Sequence, residues 1–360
     1  MPPVTSSDAT PSSDAAGFPS EGTGSSYRKI SSRFDLHLLG HDGAEESLGE
    51  EVRRGLTEEP KNLSPKYLYD ALGSILFDAI SMLPEYYLTR TEAELLQLHG
   101  EAIAELLPSP LRLVELGSGT STKTKRILDV LLQRQGELHY LPIDVSASII
   151  ERSSHELLNA FPGLSITAFA ADYTRALRFL AGEGEPAPEG QRTAVIFLGS
   201  SIGNLTDEAA VALLHRIRAI LHPGDAFLLG ADLKKDRAIL QAAYDDALGV
   251  TAAFNRNLLV RINRELGGEF NVPRFAHRAI YNDQRSRMEM HLESLEAQQV
   301  HIRDLDLTVS FAAGETIHTE SSHKYDRDQL TALATATGFR LAHSWHDPQH
   351  RFSENLLLAV

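Results

Sequence analysis

No cysteine occurs in the 360 residues. That excludes disulfides, a thiolate nucleophile and a cysteine-ligated metal site. Positive charge is in short supply: 34 Lys and Arg stand against 49 Asp and Glu, a net charge of -15. A nucleic-acid footprint needs clustered Lys and Arg, so no nucleic-acid partner is expected. No apolar run approaches the ~20 residues that span a bilayer, and the N-terminus lacks the apolar core of a secretion signal. A cytoplasmic protein with no membrane partner is the expectation. The 15 histidines are scattered. His215, His222, His277 and His301 show no metal-ligand spacing, so no metal site is expected.

Residues 1–27 are nearly free of large apolar side chains and rich in Ser, Pro, Gly, Thr and Ala. Such a stretch buries too little surface to offset its ordering entropy, which predicts a disordered tail. The remainder, in a chain that is 42% hydrophobic, is long enough for one large domain or two smaller ones. A charged surface helix is expected over 45–57. Apolar residues at helical spacing (Leu68, Leu72, Ile75, Leu76, Ile80) predict a helix over 67–82. A second helix is expected to start at Thr91, with Glu94 completing a capping box.

The stretch 113–120, Leu-Val-Glu-Leu-Gly-Ser-Gly-Thr, reads as a buried strand feeding a glycine turn, and a helical run follows from Thr124. A strand, glycine turn and helix form the opening unit of an open α/β sheet. Glycines there let a ligand approach the backbone closely. The pattern then repeats. Strands are predicted over 138–145, 164–171, 193–198 and 225–230, and helices over 147–160 and 207–221. This alternation points to a parallel sheet with right-handed crossovers. A polar, turn-rich insertion is expected over 183–190. Residues 234–324 leave the rhythm, with helices at 237–248 and 250–266 and strand-like alternation at 286–294, 299–302 and 307–311. A helix over 326–337 and two terminal strands, 339–345 and 354–360, close the chain.

Ligands of such sheets sit beyond the carboxyl ends of the strands. Gly117, Ser118 and Gly119 open the first loop there. Asp144 ends the second strand, where a carboxylate accepts both ribose hydroxyls. Asp172 ends the third, where it accepts from an adenine amino group, with Tyr173 beside it to pack on the ring. An Asp at a strand end also serves as an ordinary helix cap. Asp144 alone suits NAD equally, but after Gly119 the chain reads Thr-Ser-Thr, without the third glycine of G-x-G-x-x-G. Glu115 with Gly-Ser-Gly resembles the first motif of S-adenosylmethionine (SAM) methyltransferases, and the terminal strand pair resembles their closing hairpin.

Several longer strings occur in order: 69–78 (Tyr-Asp-Ala-Leu-Gly-Ser-Ile-Leu-Phe-Asp), 83–87 (Leu-Pro-Glu-Tyr-Tyr), 89–92 (Thr-Arg-Thr-Glu), 199–204 (Gly-Ser-Ser-Ile-Gly-Asn), 254–257 (Phe-Asn-Arg-Asn), 263–266 (Asn-Arg-Glu-Leu) and 319–325 (Thr-Glu-Ser-Ser-His-Lys-Tyr). From about residue 30 to the C-terminus the chain resembles the histidine-specific SAM-dependent methyltransferases. The resemblance implies an α/β fold, with a Rossmann-like class I SAM methyltransferase sheet and a second α+β substrate-binding lobe. It implies SAM as cofactor and Nα-methylation of L-histidine, in three successive transfers that give hercynine for ergothioneine biosynthesis. The division expected is 91–233 with 325–360 for the methyltransferase domain and 28–90 with 234–324 for the substrate-binding domain.

By the same resemblance, Asn204 and Tyr244 hold the substrate α-carboxylate and position its amine. Tyr69 and Tyr86 line the methyl-transfer end, and Lys123 stands on the cofactor side. Glu320 and Ser322 grip the imidazole: a carboxylate accepts from one ring N–H, and a hydroxyl serves the other nitrogen. Relatives in the same superfamily methylate other amines, a tryptophan derivative among them. The alternatives are therefore an N-methyltransferase of another amino acid or aromatic amine and, from a different class, an NAD-dependent oxidoreductase.

Overall fold

The computed structural model describes residues 25–40, 47–182, 184 and 188–360. Most of the expected disordered tail and half of the 183–190 insertion lie outside these residues, as does the start of the helix expected over 45–57.

The described chain opens on a hairpin, β1 (Ser26–Ser31) and β2 (Phe34–Leu38). Helix α1 (Leu48–Thr57) follows, closed at its start by a capping box between Ser47 and Glu50. Then come α2 (Ala71–Met82) and α3 (Leu88–Leu106). The alternating part runs β3 (Leu111–Leu116), α4 (Thr124–Gln135), β4 (Leu138–Asp144), α5 (Ala147–Ala160), β5 (Leu164–Ala170), α6 (Tyr173–Gly182), β6 (Arg192–Phe197), α7 (Asp207–Ala219) and β7 (Ala226–Asp232). The excursion after it holds α8 (Arg237–Tyr244), α9 (Val250–Leu266), β8 (Phe275–Asn282), β9 (Arg287–Ser294), β10 (Gln298–Ile302), β11 (Leu307–Phe311) and β12 (Thr316–His323). Helix α10 (Arg327–Ala336) and the hairpin β13 (Phe339–His346) and β14 (Phe352–Ala359) finish the chain.

Nine strands form one sheet in the order β1-β2-β5-β4-β3-β6-β7-β14-β13. Strands β2 to β7 run parallel, while β14 lies antiparallel between β7 and β13. The strand order reverses between β3 and β6, and a crevice for ligands opens at such a point. Alternate residues of each inner strand enter opposite cores. Leu113 and Ile196 pack with Leu95, Ile127 and Ile150 from α3, α4 and α5. Val114 and Phe197 pack with Leu177, Leu213 and Leu330 from α6, α7 and α10. The sheet is thus covered on both faces, as a parallel sheet requires.

A third apolar core joins α1, α8 and α9 to the three-stranded sheet β12-β9-β8 and the pair β10-β11. The chain leaves the large sheet at Leu233 and returns at Tyr325, and these two residues bridge each other. Tyr325 N–H donates to Asp232 O at 2.9 Å, and Lys234 N–H donates to Tyr325 O at 2.9 Å. The end of β7 and the end of β12 are therefore neighbours, and the candidate site lies on this seam.

Three expectations need correction. The sequence predicts a tail to residue 27 and assigns residues 28–38 to the substrate-binding part. Instead β1 and β2 extend the large sheet, β2 pairing parallel with β5. The hairpin is fastened by the Tyr27 hydroxyl donating to Asp35 at 2.7 Å. Second, the helix expected over 67–82 is broken at Tyr69. A 3-10 turn (Pro65–Leu68) precedes it, and α2 starts after Asp70. Asp70 accepts from Gly73 N–H and from Asn257 Nδ2, both at 2.7 Å, and pairs with Arg264 at 2.6 Å, so partners on α9 set this boundary. Third, no capping box forms at Thr91. Helix α3 starts three residues earlier, and Thr91 N–H already donates to Tyr87 O at 2.9 Å. Arg90 holds the preceding loop through Leu83 O at 2.6 Å and Pro84 O at 2.7 Å. Strands β8 and β12 and helix α6 were not anticipated.

Candidate active site

The glycine turn is built by strand pairing. Gly117 and Ser118 N–H both donate to Ile143 O on β4, at 2.9 and 3.0 Å. Gly119 N–H donates to Asp144 Oδ2 at 2.8 Å. Gly117 and Gly119 have φ of +68° and +49°, where a side chain is strained, and a Cβ on either would point into open space. The Ser118 hydroxyl is buried with no partner among the described residues. An open, glycine-walled cradle with an orphan hydroxyl fits a nucleoside-bearing ligand. Glu115, at the end of β3, holds the far side. It accepts from Thr124 Oγ1 at 2.5 Å and from the Tyr140 hydroxyl, fixing the start of α4 against β3 and β4. Burial raises Glu115 to about 7 even against these two hydrogen bonds.

Asp144 and Asp172 end adjacent strands, as expected. Each also serves its own backbone: Asp144 accepts from Ser146 N–H at 2.9 Å, and Asp172 from Thr174 and Arg175 N–H at 2.8 and 3.0 Å. The helix-cap reading is thus partly true of both. It leaves room for a ligand, because a carboxylate offers about four acceptor positions. Tyr173 lies half-buried with its ring 6.0 Å from that of Phe197.

Lys123 forms an ion pair with Glu92, a fully buried residue of α3 whose other oxygen accepts from Gly199 N–H at 2.5 Å. Glu354 of β14 is buried beside Glu92. Burial first, and the Glu92 charge second, raise Glu354 well above the carboxylate range. The shift favours the neutral form of Glu354. The cluster ties the loop after β3 to the loop after β6.

The substrate side is an aromatic chamber. The Tyr69 ring lies 5.5 Å from Phe77 and 5.4 Å from Phe254. Phe77 lies 6.2 Å from Tyr86, and Tyr86 lies 6.3 Å from Tyr244. Glu320 and Ser322, two apart on β12, share a face of that strand and are buried. One oxygen of Glu320 is buried with no partner among the described residues. Burial raises Glu320 to about 7, with Lys324 pulling the other way. Burial also pushes the Tyr86 and Tyr244 hydroxyls well above their usual value, so both stay protonated at neutral pH and neither acts as a base. Tyr244 donates to Ser322 Oγ at 2.8 Å, which brings it to the residue assigned to the ring. Asn204 ends a 3-10 turn (Ser201–Asn204) that His323 Nδ1–H pins to β12 by donating to Gly203 O at 2.9 Å.

The sequence reading missed a set of charges on the seam. Asp232, at the end of β7, is fully buried and meets Lys324, Lys235 and the Tyr87 hydroxyl. Burial alone would raise Asp232, but the two ammonium groups win and hold it below the carboxylate range. The period-2 run Glu320, Ser322, Lys324 was the available signal for Lys324. Glu92 stands in the string 89–92, but nothing local gave it a role, and nothing local marked Glu354 or Asp232.

A doubly wound sheet carrying this cradle, with two acidic strand ends and a chamber of tyrosines alongside, defines a Rossmann-like SAM-dependent N-methyltransferase. The chain belongs to the family of histidine-specific, SAM-dependent methyltransferases, whose model matches residues 48–359. It is 43% identical over 320 residues to a histidine N-alpha-methyltransferase of Mycolicibacterium smegmatis, covering 89% of this chain and 97% of that protein. It is 42% identical over 318 residues to a histidine N-alpha-methyltransferase of Mycobacterium tuberculosis, covering 88% and 97%. A third relative, ergothioneine biosynthesis protein 1 of Schizosaccharomyces pombe, is 27% identical over 282 residues, covering 76% of this chain and 36% of that protein. Among the described residues no helix is long and apolar enough to cross a membrane, and no cluster of three or more His, Asp or Glu could hold a metal ion.

Proposed function

We propose that this enzyme methylates the α-amine of L-histidine, three times in succession to hercynine, as a step of ergothioneine biosynthesis in the cytoplasm. The observation that carries the substrate is the pair Glu320 and Ser322 on one face of β12 inside the aromatic chamber, with a Glu320 oxygen left unpartnered. An acceptor and a hydroxyl side by side suit an imidazole and suit indole or phenyl poorly. The large sheet, with β1 and β2 included, is read as the cofactor-binding part and the third core as the substrate-binding part.

In this reading Gly117, Ser118, Gly119, Asp144, Asp172, Tyr173 and Lys123 hold SAM. The cofactor supplies a methyl group on a positively charged sulfur that departs as a neutral thioether, so the chain need furnish no acid. Its residues furnish approach geometry and a free lone pair on nitrogen. Asn204 orients the amino acid through its carboxylate, while Tyr244, whose one hydroxyl proton goes to Ser322 Oγ, supports the ring-binding pair and not the carboxylate. Tyr69 and Tyr86, fixed as hydroxyl donors and acceptors, direct the amine, whose proton passes to water. The rings of Tyr69, Tyr86 and Phe77 stabilise the growing cation by roughly 0.5–2 kcal/mol per face.

The test is purified protein with SAM and histidine, tryptophan or tyrosine, the products read by mass. Histidine alone should gain methyl groups, up to three. Turnover of tryptophan or tyrosine in preference to histidine would overturn the assignment of Glu320 and Ser322.

A further inference from the structure

The ammonium of Lys324 is completely buried and its hydrogen bonds are fully committed. It donates to Ser322 Oγ at 2.8 Å, to the Tyr244 hydroxyl at 2.8 Å and to Asp232 Oδ2 at 2.7 Å. An ammonium has three protons and no acceptor, so these three contacts exhaust it. The Tyr244 hydroxyl, accepting from Lys324, donates its single proton to Ser322 Oγ at 2.8 Å. Ser322 Oγ thus accepts twice. Both of its lone pairs are filled, and its own proton is left to point away from this triangle.

Glu320, Ser322 and Lys324 succeed one another at every second residue along β12 and its end, so they share one face. On that face Glu320, when ionised, only accepts. We propose that Lys324 is a positioning residue that fixes the Ser322 hydroxyl as a donor, so that the pocket selects a neutral five-membered azole with one N–H and one lone-pair nitrogen. The inference rests on the reading of Glu320 and Ser322 as the ring-binding pair and deepens it. An imidazolium presents two N–H groups and leaves the Ser322 proton facing a proton. Pyrrole and indole present an N–H to Glu320 but only C–H to Ser322. Asp232, shared with Lys235 and Tyr87, is the counter-charge that keeps a buried ammonium tolerable at this place.

The experiment compares kcat and KM for histidine and for 3-(pyrrol-2-yl)alanine, whose ring keeps an N–H but has C–H in place of the second nitrogen, across about pH 5.5–8.5. Wild-type protein should favour histidine, and its histidine KM should climb at low pH as the imidazole protonates near its ordinary pKa of about 6.5 and Glu320, raised to about 7, loses its charge. In Lys324→Met the histidine preference should fall by about 10-fold, the worth of one hydrogen bond, through KM and not kcat. In Tyr244→Phe, which keeps the Lys324 charge, the climb of KM at low pH should flatten, because a released Ser322 can turn to accept from an imidazolium; in Lys324→Met the loss of the ammonium that lowers Glu320 moves the climb to higher pH. Lys324→Met with Asp232→Asn avoids leaving Asp232 with less compensation, and Tyr244→Phe frees one Ser322 lone pair without touching a charge. Both should move the preference the same way. An unchanged preference and pH profile in the variants that still bind SAM would overturn the role of Lys324 alone. Failure of wild-type protein to turn over histidine would overturn the site reading, and this inference with it.

Discussion

Asp144 accepts the backbone N–H of Gly119 across 2.8 Å, tying the end of one strand to the glycine turn that follows its neighbour. The same carboxylate is the group proposed to accept the ribose hydroxyls, and in that reading one side chain shapes the cradle and meets its ligand. Asp144→Ala should therefore weaken SAM binding by about 10–100-fold, the worth of hydrogen bonds to a charged group. Calorimetric titration with SAM measures it. Unchanged affinity would remove Asp144 from the cofactor site.

Glu320, proposed to grip the substrate ring, costs stability where it is ionised. Burial raises it to about 7 from an unfolded value near 4.5. Between those values the folded protein binds more protons than the unfolded one, so this group's contribution to stability is lost as pH rises through about 7. Glu320→Gln should be more stable than wild type at pH 8, by at most about 3 kcal/mol, and equal to it near pH 4. It should lose kcat/KM for histidine at the same time. Urea midpoints at the two pH values, paired with kinetics, test both halves.

Gly230 leaves room for two carboxyls. A Cβ there would stand 2.7 Å from a Glu92 oxygen and 3.2 Å from a Glu354 oxygen. Glu92 has nowhere to go, being held by Lys123 and by Gly199 N–H. Gly230→Ala should cost about 1–3 kcal/mol by overpacking. Chemical denaturation gives the number, and a neutral result would mean that the carboxyl cluster yields easily.

Glu354 should behave as a neutral acid in the folded state, because burial and Glu92 raise it. Its contribution to stability is present at low pH and lost as pH climbs towards its raised value, so Glu354→Gln should flatten part of the alkaline decline. Denaturation midpoints followed from pH 6 to pH 9 test this. A decline as steep as that of wild type would place the proton elsewhere in the cluster.

The sheet was legible in the sequence because each of its units carries a local signal. Helices α5 and α9 fall on the expected residues. The strands β3 to β7 lie where apolar runs alternate with helical spacing. Even β14 and β13, which close the sheet edge, were visible as apolar runs at the end of the chain. Boundaries failed where a distant partner chose them, as Asp70 did by binding Asn257 and Arg264. Strand β8 went unseen because a polar residue, His277, is buried on its inner face and an apolar one, Ile280, is exposed on its outer face, so its sequence does not alternate apolar with polar.

The sequence by itself determined the glycine turn, the acidic strand ends and the strings that carry the resemblance, since those signals lie within a few residues of each other along the chain. Only the tertiary structure decided which charges share a site. Glu92 and Glu354 come from α3 and β14, more than 250 residues apart along the chain, and Asp232 meets Lys324 across the seam between β7 and β12. A buried charge is tolerated only beside its partner, and that partner is named by folding, not by sequence neighbourhood.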